Sequence, residues 1–490
     1  FTPGSFDRMV HGFPDWFCKR LPWFIGREDK LPVDQNSLMA LIAPRGLMMA
    51  SAITEYEGNP WGVEQSYQSV KQVYHFLQAD SALAILLRHG RHQHARRDIE
   101  RYLDFFDYIF KRSSIPPPQN KLYYDYSFEK WKQWSGEHLD PLKFPRAGNS
   151  PSNYFTNRTS FSEQQDNIRK QLYWLLGDKP PEVPVNKTYS SLINGNKDYK
   201  DDYLSEVIGE FNLPQDIKIM KFGPYSALGD DLWCTLYFPP GTVKHNSASD
   251  KLPLVIYLHN YDYSIGYRNS QRNASLIQKF TQNGFAVLMF DLVGFGTRIP
   301  EAKYFYNRYP HWSKMGSMVT DVLNIIADAS LRMPFIDPQN IYLVGYSLGG
   351  TVALLTAALD KRVKGTAVIG AFSSFRHDNG ETEGIRHYCC LHGLIPRLGF
   401  FLDHEDRIPL DFDDILACIV PRPLLVIAPK RDRNHTIKNV QEIVSAGSVA
   451  YSNMNSADRL TFEQPDTYNH FTDTMQHQIA TWLIKQKKRG

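Results

Sequence analysis

From Leu252 onward, short apolar runs alternate along the chain with segments whose apolar residues recur at helical spacing. The runs cover residues 252–259, 285–291, 341–345, 365–372, 423–428 and 460–463. They are apolar at successive positions rather than alternate ones, which predicts strands buried on both faces, as in a parallel sheet. Between them, residues 275–282, 313–332, 349–359, 437–445 and 471–485 carry the spacing of helices with one apolar face. Strand and helix alternating in this way predict a doubly wound α/β domain with a mostly parallel sheet.

Upstream the pattern is less regular. A helical stretch at 94–110 is followed by Ile115-Pro116-Pro117-Pro118, which makes 113–119 the best linker candidate and puts a boundary near residue 112. Residues 120–200 hold many Tyr, Trp, Asn and Pro around a single helix at 162–176, and read as a lead-in. The expected organisation is a first segment at 1–111, a linker and lead-in at 112–150, and a complete α/β domain at 151–490.

A repeat links the two ends of the chain. Leu38-Met39-Ala40-Leu41-Ile42-Ala43-Pro44-Arg45 parallels Ile415-Leu416-Ala417-Cys418-Ile419-Val420-Pro421-Arg422, and an apolar strand follows each. Ten residues after each Arg stands an acid, Glu55 or Asp432. His92 lies 37 residues beyond Glu55 and His470 lies 38 beyond Asp432, each before a final amphipathic helix. The two stretches read as the same third of one fold, so the first segment is a partial second domain of the same kind.

Composition changes this picture little. The 490 residues can bury a sizeable core, and a net charge of +3 gives no basis for a nucleic-acid surface. The Lys485–Arg489 run reads as a solvated helix end. Five cysteines without metal-type spacing imply neither a metal site nor a disulfide framework. No apolar run approaches the roughly 18 to 20 residues of a membrane span.

Gly345-Tyr346-Ser347-Leu348-Gly349 has the G-x-S-x-G pattern between a predicted strand and a predicted helix. That context holds a serine hydroxyl exposed on a sharp turn. A serine is a weak nucleophile until a histidine takes its proton and a carboxylate fixes the histidine's tautomer. The order Ser347, Asp432, His470 supplies both partners after later strands. An oxyanion hole needs two N–H donors. Leu348 is expected to give one, and the loop after His259 the other, from Asn260 or, preferably, Tyr261. Asp291 to Arg298 lacks a phosphate-loop ending and reads as a structural turn, with Arg298 as a candidate pocket wall. The 373–413 excursion, which carries Cys389-Cys390, is placed as a lid or a surface insertion. In the first segment Arg88-His89-Gly90-Arg91-His92-Gln93-His94 has no ligand-type partners, so His92 reads as a base, with Glu55 its acid and Glu57 a fallback. No serine elbow occurs before residue 112.

The first 110 residues resemble the C-terminal third of glucuronoyl esterases. The resemblance rests on Asp15-Trp16-Phe17-Cys18, on Leu31-Pro32-Val33-Asp34-Gln35 running to Ile42-Ala43-Pro44-Arg45, and on Arg88-His89-Gly90-Arg91-His92. It implies hydrolysis of esters between 4-O-methylglucuronic acid on xylan and lignin alcohols, with His92 as base and Glu55 at the acid position. Asp15 and Asn36 stand where bacterial members carry histidine. Because the serine-bearing half is missing from this segment, either the chain is truncated at Phe1 or the module has lost its activity. Residues from about 150 to 490 resemble the acetyl xylan esterase and dienelactone-hydrolase-like branch of the α/β-hydrolases, through Gly345–Gly350, Asp291–Arg298 and Ile415–Pro429 with Asp432.

The resulting expectation is a serine carbohydrate esterase that removes acyl groups, acetyl above all, from a xylan-like polysaccharide or oligosaccharide. It needs no cofactor and no metal, and engages neither nucleic acid nor membrane. The sequence leaves its oligomeric state open. The resemblance implies a secreted or periplasmic protein. Two alternatives remain: a prolyl-oligopeptidase-like serine peptidase, and a non-catalytic glycan-binding protein built on degenerate hydrolase domains.

Overall fold

The computed structural model describes residues 6, 9–10, 13–25, 27–53, 55, 59–90, 93–117, 122–147, 158–181, 189–193, 213, 217–225, 232–239, 251–268, 270–380 and 383–488. The chain forms two compact units. The first comprises residues 1–125 with 261–266 and 294–304, and the second comprises 126–260, 267–293 and 305–490.

In the first unit, β1 (Leu47–Ala52) and β2 (Leu83–Arg88) pair in parallel, with Leu47 opposite Leu83. The intervening helix Pro60–Phe76 buries Tyr67, Val70 and Tyr74, a spacing of three to four residues that lays one face on the two strands. Among the described residues of this unit, the buried carboxylates Glu64 and Asp98 are paired. The Glu64 carboxylate accepts from the backbone N–H groups of Tyr123 and Tyr124 at 2.5 and 2.9 Å. Asp98 faces Arg88 at 3.4 Å and also accepts from the Ala95 N–H, starting the helix Arg96–Ile109.

The second unit holds β3 (Tyr189–Ile193), β4 (Lys218–Tyr225), β5 (Leu232–Phe238), β6 (Leu252–Leu258), β7 (Ala286–Phe290), β8 (Ile336–Tyr346), β9 (Val363–Ile369), β10 (Leu424–Ile427) and β11 (Leu460–Glu463). They form one sheet in the order β3-β4-β5-β7-β6-β8-β9-β10-β11. The six strands from β7 to β11 in that order run parallel, and β3, β4 and β5 extend the β7 side antiparallel.

Period-two alternation sorts the strand residues between the two faces. Val255, Tyr257, Val287, Met289, Tyr342 and Val344 share one face with Leu276 and Phe280 of helix Ser270–Gln282 and with Ile479 and Leu483 of helix Asp473–Lys488. Helix Leu348–Leu359 directly follows β8 and is buried from Leu348 to Ala358, which explains why its sequence is apolar all round.

The repeat seen in the sequence is also present in the backbone. β1 pairs with β2 as β10 pairs with β11, with Leu47 opposite Leu83 and Leu424 opposite Leu460, and each partner lies 36 residues further on. The Tyr74 hydroxyl donates to the Arg45 carbonyl at 2.7 Å, and the Tyr451 hydroxyl to that of Arg422 at 2.9 Å. Gln78 and Asn455, four residues past these tyrosines, both adopt a positive φ, 54° and 51°. A constant offset of 377 residues relates Arg45 to Arg422, Tyr74 to Tyr451, Gln78 to Asn455 and Glu55 to Asp432.

Candidate active site

Ser347 sits between the last residue of β8 and the first of helix Leu348–Leu359. Its backbone is at φ 51° and ψ −116°, a conformation that L residues seldom adopt. Three glycines let the turn close. A Cβ on Gly345 would lie 2.2 Å from the Gly349 carbonyl oxygen, one on Gly349 would lie 2.1 Å from that of Leu258, and one on Gly350 would lie 2.5 Å from the Ala371 Cβ. The Ser347 N–H is held by the Ile369 carbonyl at 2.8 Å. Leu348 opens the helix, so its N–H has no acceptor within the helix and the positive end of the helix dipole lies at the serine.

Asp432 stands in the loop after β10, with its side chain 1% exposed. One carboxylate oxygen accepts from the Asn434 N–H at 2.9 Å. The other takes the Asn469 amide at 2.7 Å and the Nδ1 of His435 at 3.0 Å. Among the described residues, no hydrogen bond joins the His470 ring to Asp432 or to Ser347. The loop carrying His470 is nonetheless bound to the acid's loop. The N–H groups of Lys430 and Arg431 donate to the carbonyls of Pro465 and Thr467 at 2.9 and 3.0 Å, and Arg431 grips Asp466 with two contacts of 2.8 Å.

His435 was not singled out from the sequence. It lies in the same turn as Asp432, whereas a chain-order search looks for the histidine after the next strand. Its ring faces His387, with centroids 6.3 Å apart. Burial, with His435 beside it, holds the His387 imidazole down at about 3, so it is neutral at physiological pH. The Glu383 carboxylate accepts from the Thr436 N–H and hydroxyl and from the Asn439 amide, which joins the 373–413 excursion to the start of helix Ile437–Asn453.

His259 has a structural role. Its Nε2 accepts from the Leu292 N–H at 3.0 Å, which leaves the proton on Nδ1 to meet the Asn260 carbonyl at 2.7 Å. Tyr261 belongs to the first unit, where its ring packs with Tyr263 and Phe295. Arg298, expected as a pocket wall, is buried and engages Glu301 of the same unit through Nε and Nη2. Glu55 is half-buried just past β1, and His92 and Glu57 lie outside the described residues.

Two family descriptions match the chain. Residues 7–78 match "Glucuronyl esterase, fungi", and residues 266–398, which include Ser347, match "Serine aminopeptidase, S33". A carbohydrate esterase, MZ0003, from an unknown prokaryotic organism is 33% identical over 116 residues, 21% of this chain and 27% of its own length. The chain therefore spans about a quarter of that relative. A putative hydrolase of Bacillus subtilis, YtaP, is 23% identical over 334 residues, 65% of this chain and 98% of its own length. Among solved structures, a glucuronoyl esterase from Solibacter usitatus superposes with a TM-score of 0.53 at 15% identity, covering 71% of this chain and all of that one. One from Teredinibacter turnerae superposes with a TM-score of 0.52 at 14% identity, covering 73% and 98%. The sheet order, the serine turn and the likeness to these solved structures give the chain an α/β-hydrolase fold.

Proposed function

We propose that this chain is a serine carboxylic-ester hydrolase that removes acyl groups from a carbohydrate, with Ser347 as nucleophile, Asp432 as acid and His470 as base. The observation that carries this reading is the strained backbone of Ser347 at a strand-to-helix turn closed by three glycines. Strain of this kind persists where the surrounding structure enforces it, and a serine so held between a strand and a helix is the arrangement a nucleophile elbow requires. The carbohydrate part of the reading leans on the glucuronyl-esterase match of residues 7–78 and on the carbohydrate-esterase relative. An acetylated xylan-type saccharide is the proposed substrate, and an extracytoplasmic location is the corresponding proposal for where it works.

In the reaction, His470 takes the Ser347 proton as the oxygen attacks the ester carbonyl. The Leu348 N–H receives the developing oxyanion, and the protonated imidazole then hands its proton to the departing sugar oxygen. Water repeats the sequence on the acyl-enzyme. In the arrangement described, Asn469 holds the Asp432 carboxylate one residue ahead of His470, so a productive imidazole must exchange with it; catalytic hydrogen bonds commonly tighten only with substrate bound.

A second reading has an observation of its own: His435 is the histidine already on Asp432. It would then be the base. Comparing His470→Ala with His435→Gln separates the two, since the base variant should lose at least about 1000-fold in kcat and the other far less.

For the substrate class, the test is hydrolysis of acetylated xylooligosaccharides, a benzyl glucuronate and an aminoacyl nitroanilide by the wild type and Ser347→Ala. Turnover of the acetylated xylooligosaccharides, lost in the variant, supports the proposal; turnover of the glucuronate alone would keep the serine esterase and place the sugar on the acyl side instead. Cleavage of the anilide alone would favour the peptidase suggested by the S33 match.

A further inference from the structure

On the 373–413 excursion, the turn His387–Leu391 brings the sulfurs of Cys389 and Cys390 to 3.4 Å. Consecutive residues of a helical turn ordinarily point about 100° apart and do not face each other. Here the side chains converge, with Cys389 buried and Cys390 exposed. The backbone beneath them is braced from several sides. The Tyr126 hydroxyl donates to the Cys389 carbonyl at 2.6 Å, and the N–H groups of Leu394 and Ile395 donate to that of Tyr388 at 2.6 and 3.1 Å. Gly393, at φ 56°, passes so close to Tyr126 that a Cβ there would meet the ring at 2.6 Å. The Tyr388 ring rests edge-on against Phe375, centroids 5.2 Å apart.

The two thiols differ in character. The hydrogen bond between the two sulfurs, together with the nearby Arg386, lowers the Cys390 thiol from its ordinary value. That same shared proton, with burial, raises Cys389. The pair thus sets an exposed sulfur in front of a buried one.

We propose that Cys389 and Cys390 form a preorganised dithiol site for a thiophilic trivalent centre of the arsenous or organoarsenous class, bound through both sulfurs. The step balances without redox chemistry. Two arsenic–sulfur bonds form, the two thiol protons leave with the arsenic-bound oxygen as water, and no oxidant is required. A disulfide would need the sulfurs drawn in to about 2.05 Å and an oxidant to take two electrons. A tetrahedral metal would need further ligands, and among the described residues no group of three His, Cys, Asp or Glu side chains could hold one. A bent, two-sulfur bridge fits the spacing found. Binding through both sulfurs rather than one gives a chelate gain of about 100-fold or more.

The test is titration of the full chain with phenylarsine oxide, read by intact mass and peptide mapping. The expected result is one adduct per chain on the peptide holding both cysteines, stable to a monothiol and removed by a dithiol. Cys390→Ser, an exposed position, and Cys389→Ser should each lose monothiol-resistant binding by at least ~100-fold, while Cys18→Ser, at the other exposed cysteine, keeps it. Circular dichroism on each variant checks that the fold is intact. No adduct on the wild type, an adduct mapping to Cys18, or undiminished binding by Cys390→Ser would overturn the proposal.

Discussion

The Tyr346 hydroxyl donates to the Asn469 carbonyl at 2.8 Å, so the residue before Ser347 is tied to the residue before His470. Both are buried, with Tyr346 2% and Asn469 7% exposed, and the bond lies in the same unit as the Ser347 turn and the Asp432 loop. Tyr346→Phe keeps the ring, which packs near Phe471, and removes only the tether. It leaves a buried carbonyl without its donor, so stability should fall by about 1 to 2 kcal/mol in chemical denaturation. If the tether positions His470, kcat should drop several-fold with KM little changed. An unchanged kcat alongside the stability loss would assign the bond a structural role only.

The backbone of Ser347 separates activity from stability. Glycine adopts φ 51°, ψ −116° without a Cβ in the way, so Ser347→Gly should relieve strain and raise the unfolding free energy by about 1 kcal/mol. Ser347→Ala keeps the Cβ and should be near neutral in stability. Both should lose esterase turnover. Thermal melts of the two variants against the wild type decide whether the turn stores strain.

Asp413 introduces a pH dependence unrelated to catalysis. Burial, reinforced by Asp414 and Asp411, pushes its carboxyl from 3.8 up to about 8. The unfolded chain therefore releases this proton near 3.8 and the native one near 8. Over that window the native state binds more protons, so this group's contribution to stability declines as pH rises and levels off above about 8. Asp413→Asn removes the titration. Relative to the wild type, it should gain stability progressively from pH 4 to 8, by more than about 1 kcal/mol at the upper end. A difference that stays flat with pH would contradict the assignment.

The duplicated tyrosines should behave alike. Tyr74→Phe and Tyr451→Phe each remove a donor from the carbonyl of the Arg at the start of a repeat, and each should destabilise by about 1 kcal/mol. Hydrogen exchange resolves the two units separately. Loss of protection confined to β1 and β2 in the first variant, and to β10 and β11 in the second, is the expected pattern.

Much of the second unit could be read from the chain because its central strands are buried on both faces and so appear as unbroken apolar runs. The three antiparallel strands were not placed. β4, with Lys218 and Lys221 among its apolar residues, lacks such a run. Helix Ile437–Asn453 runs well past the expected end at 445. Gly447, which would suggest a break, instead gives close approach, since a Cβ there would stand 3.1 Å from the Leu416 side chain. The serine turn was legible for a physical reason: only glycine fits at 345, 349 and 350, so the motif is a steric requirement written in sequence. The partners of Asp432 were not legible, because the bond to His435 spans one turn and the bond to Asn469 falls one residue short of the expected histidine.

The most direct test of the central claim is the rate and site of labelling by a fluorophosphonate, which reacts with an activated serine whatever its natural acyl substrate. The expected result is a single adduct, mapped to Ser347, formed rapidly by the wild type and by His435→Gln, and slowed by about 100-fold or more in His470→Ala. Labelling at a different serine, or full-rate labelling of Ser347 in His470→Ala, would contradict it.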